Sequence, residues 1–409
     1  MNTQEQNFIT ILKDALHPQD HHSSLSAPAL VSPDWNQIFS IASKQNLLPF
    51  VYNAAAEYAT FSEYDEVHPD VFVKATSVMS RQIQKTDAFL NLYRAFTDEE
   101  AAEPPIVLKG IVCRSLYKEG QDFRTSGDED LLVDEANFQR AASVLEECGY
   151  HREVTHETHT DILQEVTFIN ADVGLAIELH INPLGRANDL LSEMNDWFKD
   201  VFDKSEYVKI LDTQIRVMQP TDEFLFLVLH MFKHFTSTGA GLRMAMDVLL
   251  YMEKYYERID WSYIWDRLKA VRADSYLADL IAMGNQYLGF ALQQEKEAVC
   301  PETLVDDMMQ TGLFGIVNEN ASETARYTHM AIVNGGSSKF GAVWHMIFPS
   351  WKMWTSWRPY LKEKPWMLPV EWVKRVGRYL RSGKKVSVMT ESYDAASSRI
   401  ALLKKYGVI

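Results

Sequence analysis

The feature that most narrows the fold is an acidic strand in apolar company. Gly127-Asp128-Glu129-Asp130-Leu131-Leu132-Val133 ends on an apolar run that suits an extended segment, yet it opens with three consecutive acids. Side chains two apart on a strand share a face, so Asp128 and Asp130 point one way and Glu129 the other. Aligned carboxylates repel unless a cation lies between them. The segment therefore predicts a small sheet with one face turned to a cation site. The same repulsion predicts that Asp130→Asn leaves the metal-free protein as stable as before, or slightly more so.

A third acid comes from Ile177-Glu178-Leu179-His180, where alternation places Glu178 and His180 on one face and the apolar residues on the other. Asp128, Asp130 and Glu178 are expected to hold two divalent ions, Mg2+ or Mn2+. These hard cations accept carboxylate oxygens and keep positions for water and substrate phosphate. Two such ions can stabilise both the attacking and the leaving oxygen of an in-line phosphoryl displacement. Upstream, Leu108-Lys109-Gly110 ends a short apolar run where a helix begins, and a glycine there lets phosphate reach free backbone N–H groups. Lys109 and Arg124 would neutralise the phosphates as a point charge and a fork, although Arg124 has Asp122 and Glu129 as alternative partners. His156, His159 and His180 are placed in the substrate cleft; surface histidines and a zinc site remain open alternatives for the His156-x-x-His159 pair.

Around this core the apolar period changes twice. Residues 8–100 repeat at three and four, as in Trp35-Ile38-Phe39 behind a capping Asp34 and in Val71-Phe72-Ala75-Val78-Met79, so they read as helices. Pro104-Pro105 closes that region. Ile106–Leu108, Asp128–Val133 and the hairpin of Glu165–Asn170 with Leu175–Asn182 read as strands, with helices at Ile111–Tyr117 and Ala136–Cys148. After Pro220 helix returns through Tyr255, with Thr221 as N-cap and Asp222 and Glu223 complementing the dipole. The expected fold is α+β: a helical region at 1–104, a mixed-sheet core at 105–219, a helical domain at 220–336 and a basic, Trp-rich segment at 337–409.

Charge separates the last segment from the rest. The chain carries a net −16, but Gly341–Ile409 carries +9 and six of the ten tryptophans, leaving −25 on the remainder. An acidic body disfavours a nucleic-acid partner. The basic aromatic segment suits either an anionic membrane surface or docking against the acidic helices. Three cysteines without a C-x-x-C pair point away from a disulfide framework or a cysteine zinc site. No stretch reaches about 18 uninterrupted apolar residues and no signal peptide is evident, so a cytoplasmic location is expected. His230-Met231-x-x-His234 lacks the glutamate of a zinc protease, and no Walker A loop, G-x-S-x-G elbow or G-x-G-x-x-G fingerprint occurs.

Together, Leu108-Lys109-Gly110, Tyr117, Arg124, Gly127-Asp128-x-Asp130-Leu-Leu-Val and Ile177-Glu178-Leu179-His180 resemble the DNA polymerase β-like nucleotidyltransferase superfamily. They are most similar to its uncharacterised bacterial nucleotidyltransferase family, which His230-x-x-Lys233-His234 and Arg243-x-x-x-Asp247 also match. The resemblance implies Mg-dependent transfer of an NMP group from an NTP such as ATP to an acceptor hydroxyl. That acceptor would be a small molecule, a saccharide precursor or a protein, with Lys109, Gly110, Arg124 and Gly127 at the nucleotide. Two departures stand out: Lys109-Gly110 replaces the usual Gly-Ser or Gly-Gly turn, and Glu129 stands where the family generally has an apolar residue. Both support an inactive binding module of the same fold as the alternative, and a histidine-metal hydrolase is a third class.

Overall fold

The computed structural model describes residues 1–17, 30–58, 68–98, 103–117, 120–153, 165–184, 191–312, 358–381 and 399–409, with a few isolated positions between them. Apolar residues at three-to-four spacing build α1 (Thr3–Leu16), α2 (Trp35–Lys44), α3 (Leu48–Ala55) and the 30-residue α4 (Pro69–Asp98). Asp34 caps α2 as expected, accepting from the Gln37 N–H at 3.2 Å. Beyond Pro104-Pro105 the chain enters β1 (Ile106–Val107), a single turn of helix α5 (Ile111–Arg114) and β2 (Asp128–Leu132). Helix α6 (Phe138–Glu147) then leads to β3 (His151–Arg152), β4 (Glu165–Asn170) and β5 (Leu175–His180).

These strands form one mixed sheet in the order β1-β2-β5-β4-β3. Strands β4 and β5 make the expected antiparallel hairpin, and β5 lies parallel to β2. On one face Leu131, Ile177 and Leu179 are fully buried with Phe89 and Tyr93 of α4 and Leu145 of α6. Burying each such side chain contributes about 1.5–3 kcal/mol, which anchors the strands in one register. The opposite face carries Asp128, Asp130, Glu178 and His180. Leu132, beside them, joins the core of the helices that follow.

A second hairpin, β6 (Glu206–Ile210) with β7 (Thr213–Val217), was not among the expected strands. Its Tyr207-x-Lys209 and Gln214-x-Arg216 alternate with apolar residues, which is the period-two signal of a strand. The expected long helix after Pro220 is two helices, α7 (Pro220–Phe235) and α8 (Leu242–Tyr255), followed by α9 (Trp261–Ala270), α10 (Asp274–Tyr287) and α11 (Pro301–Thr311). Thr221 is not the N-cap of α7. Pro220 occupies the first turn behind Gln219, and the Thr221 hydroxyl accepts from the Asp260 N–H at 3.0 Å. Asp222 and Glu223 stand in the first turn of α7, as the dipole argument expects, and both are buried.

One apolar core runs from α1–α3 through α7–α11. Gln45 ties the two groups of helices, donating to the Met308 carbonyl at 2.8 Å and accepting from the Leu242 N–H at 3.0 Å. The last residues return to the same core. Tyr406 lies edge-on to Phe235 and donates to Asp279 at 2.6 Å, while Arg399 pairs with Asp307 at 2.7 Å. In the Trp-rich segment, Trp354 is buried beneath Arg375 of α12 (Leu368–Arg381), whereas Trp351 and Trp366 are exposed. Trp357 and the composition break at Ser337-Ser338 lie outside the described residues. Among the described residues no helix is long and apolar enough to cross a membrane.

Candidate functional site

Parallel pairing of β2 with β5 sets Asp130 directly beside Glu178 and Asp128 beside Ala176. His180, two residues further along β5, shares the face of Glu178 and reaches back to Asp130, its Nε2 lying 3.1 Å from Asp130 Oδ1 and 3.5 Å from Glu178 Oε2. Asp130, Glu178 and His180 each offer a ligand atom within 4.8 Å of the others. The expected set was Asp128, Asp130 and Glu178. In the structure His180 joins Asp130 and Glu178, and Asp128 stands at the strand's entrance on the same face.

Asp130 is almost sealed from solvent at 2% exposure, and its Oδ2 has no hydrogen-bond partner. An orphaned carboxylate oxygen beside a second carboxylate and an imidazole fits a divalent cation by donor chemistry. Burial by itself would raise the Asp130 carboxyl. The Lys109 ammonium at 3.1 Å and the His180 hydrogen bond outweigh it and hold the group well below the usual carboxylate range. His180 shows the reverse balance: burial disfavours its charged form, but Asp130, Glu178 and Glu165 push it up to about 9. Lys109 is likewise raised, since Asp130, Asp128 and Glu178 together overcome its burial. The acid site thus holds two cations of its own.

Gly110 and Glu129 depart most from expectation. The turn at Gly110 has φ +63°, open to glycine at little cost. The N–H that follows it, on Ile111, is not free for phosphate: Glu129 Oε2 accepts it at 2.7 Å. A Cβ on residue 110 would lie 1.9 Å from that same oxygen. Glu129 also pairs with Arg114 at 2.5 Å, and burial lifts its carboxyl above the ordinary value against that pull. The acid that looked like an extra charge beside the metal strand is instead a strut on the opposite face, fixing β2 to the β1–α5 turn. Gly110 makes room for it.

Arg124 also lies elsewhere than expected. Its guanidinium, 3% exposed, grips Asp247 of α8 through Nε at 3.1 Å and Nη2 at 2.6 Å, and neither Asp122 nor Glu129 is its partner. Tyr117 donates to the same carboxylate at 2.9 Å. Arg243, one turn away on the same helix, reaches it at 3.9 Å and donates to the Thr125 carbonyl at 3.1 Å. These four residues bolt the sheet to the helical domain, a role invisible in their sequence order. Gly127 has open space over its Cα.

On α7, His230, Lys233 and His234 fall three and four apart and share one helix face. His180 and Lys109 act electrostatically on His230, and Glu165, Glu178 and Asp130 act on Lys233, so this face looks onto the acid site. His156 and His159 lie outside the described residues.

Neither a curated protein nor a solved structure matches the chain. The mixed sheet amid helices, with the acid–imidazole cluster across β2 and β5, suits an α+β nucleotidyltransferase core, and the cluster fits a role in nucleotidyl transfer. A family model matches residues 32–289, a span from α2 to the end of α10 that includes the whole sheet, and by that match the chain belongs to the uncharacterised nucleotidyltransferase family.

Proposed function

We propose that the protein moves an NMP group from an NTP to an acceptor hydroxyl with release of pyrophosphate, using Mg2+ or Mn2+. The observation that carries this reading is the Asp130, Glu178 and His180 cluster on adjacent parallel strands of a nucleotidyltransferase-family chain, with Asp130 Oδ2 buried and unpartnered. A metal bound there would neutralise charge on the reacting phosphate. Asp130 and His180 orient that site, and Asp128 extends the acid face for a second ion. Glu178, whose side chain is 25% exposed, stands where an acceptor can reach it and takes the hydroxyl proton. Lys109, released from Asp130, pairs with the triphosphate. Incubating the full chain with Mg2+, each α-labelled NTP and representative sugar, protein and lipid-linked acceptors tests this reading. Covalent label on one acceptor is expected; no label, and no metal-dependent NTP binding, would remove it.

One observation favours a second reading, in which the fold binds nucleotide without turnover: Lys109 already supplies Asp130 with a cation. It predicts NTP binding that Mg2+ does not strengthen and no labelled product.

We propose also that the C-terminal segment contacts anionic lipid. Trp366, Val370 and Val373 recur at helical spacing and are 72%, 42% and 72% exposed, with Lys362, Lys364 and Lys374 exposed around them. Apolar anchors ringed by lysine match the chemistry of an anionic bilayer surface.

A further inference from the structure

The polar face of α7 has no assigned role. Lys233 is half-buried, yet among the described residues no carboxylate lies within 4 Å of its ammonium. His230 and His234 flank it, their rings 4.9 Å apart. Both are partly exposed, so a ligand can reach them. Lys109 from the β1–α5 turn, Asp130 from β2, Glu165 from β4, and Glu178 and His180 from β5 lie near enough to act electrostatically on this face. Arg243 of α8 stands beyond His234. The acids that act on Lys233 are engaged elsewhere, Asp130 by Lys109 and His180, and Glu165 and Glu178 by His180. The α7 wall therefore presents one ammonium without an ion-pair partner among the described residues, bordered by two imidazoles that burial keeps neutral, and it faces an acidic wall with an unpartnered oxygen.

We propose that His230, Lys233 and His234 bind the polyphosphate chain of the nucleotide. The inference rests on the nucleotidyl-transfer reading of the opposite wall, which would hold the metal end of the same chain. Three nitrogen-bearing side chains at i, i+3 and i+4 present donors along about one helical turn, with neighbouring Cβ atoms about 5–6 Å apart. That spread suits an extended polyanion with several charged oxygens better than a single carboxylate. Half-burial strengthens each contact, since an ammonium with its hydration partly removed gains more from an arriving anion than one in bulk water. Burial disfavours the charged form of all three groups; at Lys233, Glu165, Glu178 and Asp130 oppose that effect while Lys109 adds to it, and an arriving anion favours the ammonium. Lys233 is the central contact and the two imidazoles border it.

Binding of inorganic tripolyphosphate to the full chain, measured by calorimetry without added metal, separates this inference from the reading it rests on. Wild-type protein is expected to bind tripolyphosphate, and Lys233→Gln to weaken that binding at least tenfold while keeping its thermal midpoint, because no existing ion pair is lost. Lys233→Met serves as a second variant should the first fail to fold. Retention of wild-type affinity in a folded Lys233 variant overturns the inference even where label transfer is seen. Failure of the wild-type protein to bind tripolyphosphate also overturns it. Weakened binding in the variant without any label transfer in wild-type protein upholds the wall and rejects turnover.

Discussion

The Lys109 ammonium lies 3.1 Å from the Asp130 carboxylate, so the acid site carries its own counter-charge before any metal arrives. This reverses the expectation that neutralising Asp130 relieves repulsion. Asp130→Asn leaves a half-buried ammonium and a raised imidazole short of a partner, and stability should fall by about 1–3 kcal/mol in urea melts. Lys109→Met should have the opposite signature, since it removes the cation that competes for Asp130. Mn2+ should bind more tightly to the nucleotide-free variant, as read by electron paramagnetic resonance, while turnover is lost. Unchanged metal affinity would show that Lys109 does not contend for the site.

Glu178 separates binding from turnover. Glu178→Gln keeps the shape of the β5 edge and leaves Asp130 in place, so metal-dependent NTP binding should persist. Turnover should fall by about 10²- to 10⁴-fold, the usual contribution of a positioned proton acceptor. Single-turnover assays check this, and a wild-type rate would remove Glu178 from the chemistry.

Arg124 should behave as a structural bolt. Arg124→Ala strands the Asp247 carboxylate between sheet and helices, for which about 3–5 kcal/mol of destabilisation is expected. Tyr117→Phe removes one hydrogen bond to the same acid and should cost about 1 kcal/mol. Denaturant melts of the two single variants and of the pair will show coupling, because both act through Asp247. An Arg124 variant with intact stability and weakened NTP binding would return this residue to the phosphates.

Glu223 makes stability depend on pH. It is fully buried in α7, neither carboxyl oxygen has a hydrogen-bond partner, and burial followed by repulsion from Asp222 raises it well above the ordinary carboxylate value. A group raised in this way binds its proton more tightly in the folded chain. Stability is then greatest below the unfolded value near 4.3 and declines as pH rises above it, by up to about 1.4 kcal/mol per pH unit. Glu223→Gln has no proton to lose. Thermal melts at pH 5 and pH 8 should show it stabilised relative to wild type chiefly at pH 8; an equal effect at both would mean that Glu223 does not titrate in this way.

For the C-terminal segment, vesicles rich in anionic lipid should pellet the full chain at low salt and release it as ionic strength rises. Trp366→Glu with Val373→Glu should abolish pelleting without altering the melt, since both side chains are exposed. Binding to neutral vesicles with equal strength would exclude the electrostatic part of the contact.

The elements legible in the sequence were those whose signal is local. Strand alternation placed Asp130 opposite in sense to Glu129 and put Glu178 with His180. The Asp34 cap, the helix through Val71–Met79 and the β4–β5 hairpin followed from spacing alone. What stayed hidden was long-range pairing. Nothing near Arg124 announces Asp247, and nothing near Glu129 announces the Ile111 N–H, because each contact depends on how β2, α5 and α8 dock. The β6–β7 hairpin is an exception, since its signal is local, the alternation around Tyr207 and Gln214. The role of Lys109 as a partner of Asp130 needed the β1–β2 pairing as well as the motif.

Parallel pairing of β2 with β5 has a kinetic consequence. His180 and Asp130 are 50 residues apart along the chain, and β4 must fold back on β5 at the edge of the same sheet. Contacts of such separation form only after a large loop has closed, which makes them late events in folding. A nascent or clipped chain ending before residue 175 lacks β5 altogether, and so has no assembled cluster with which to capture a cation prematurely.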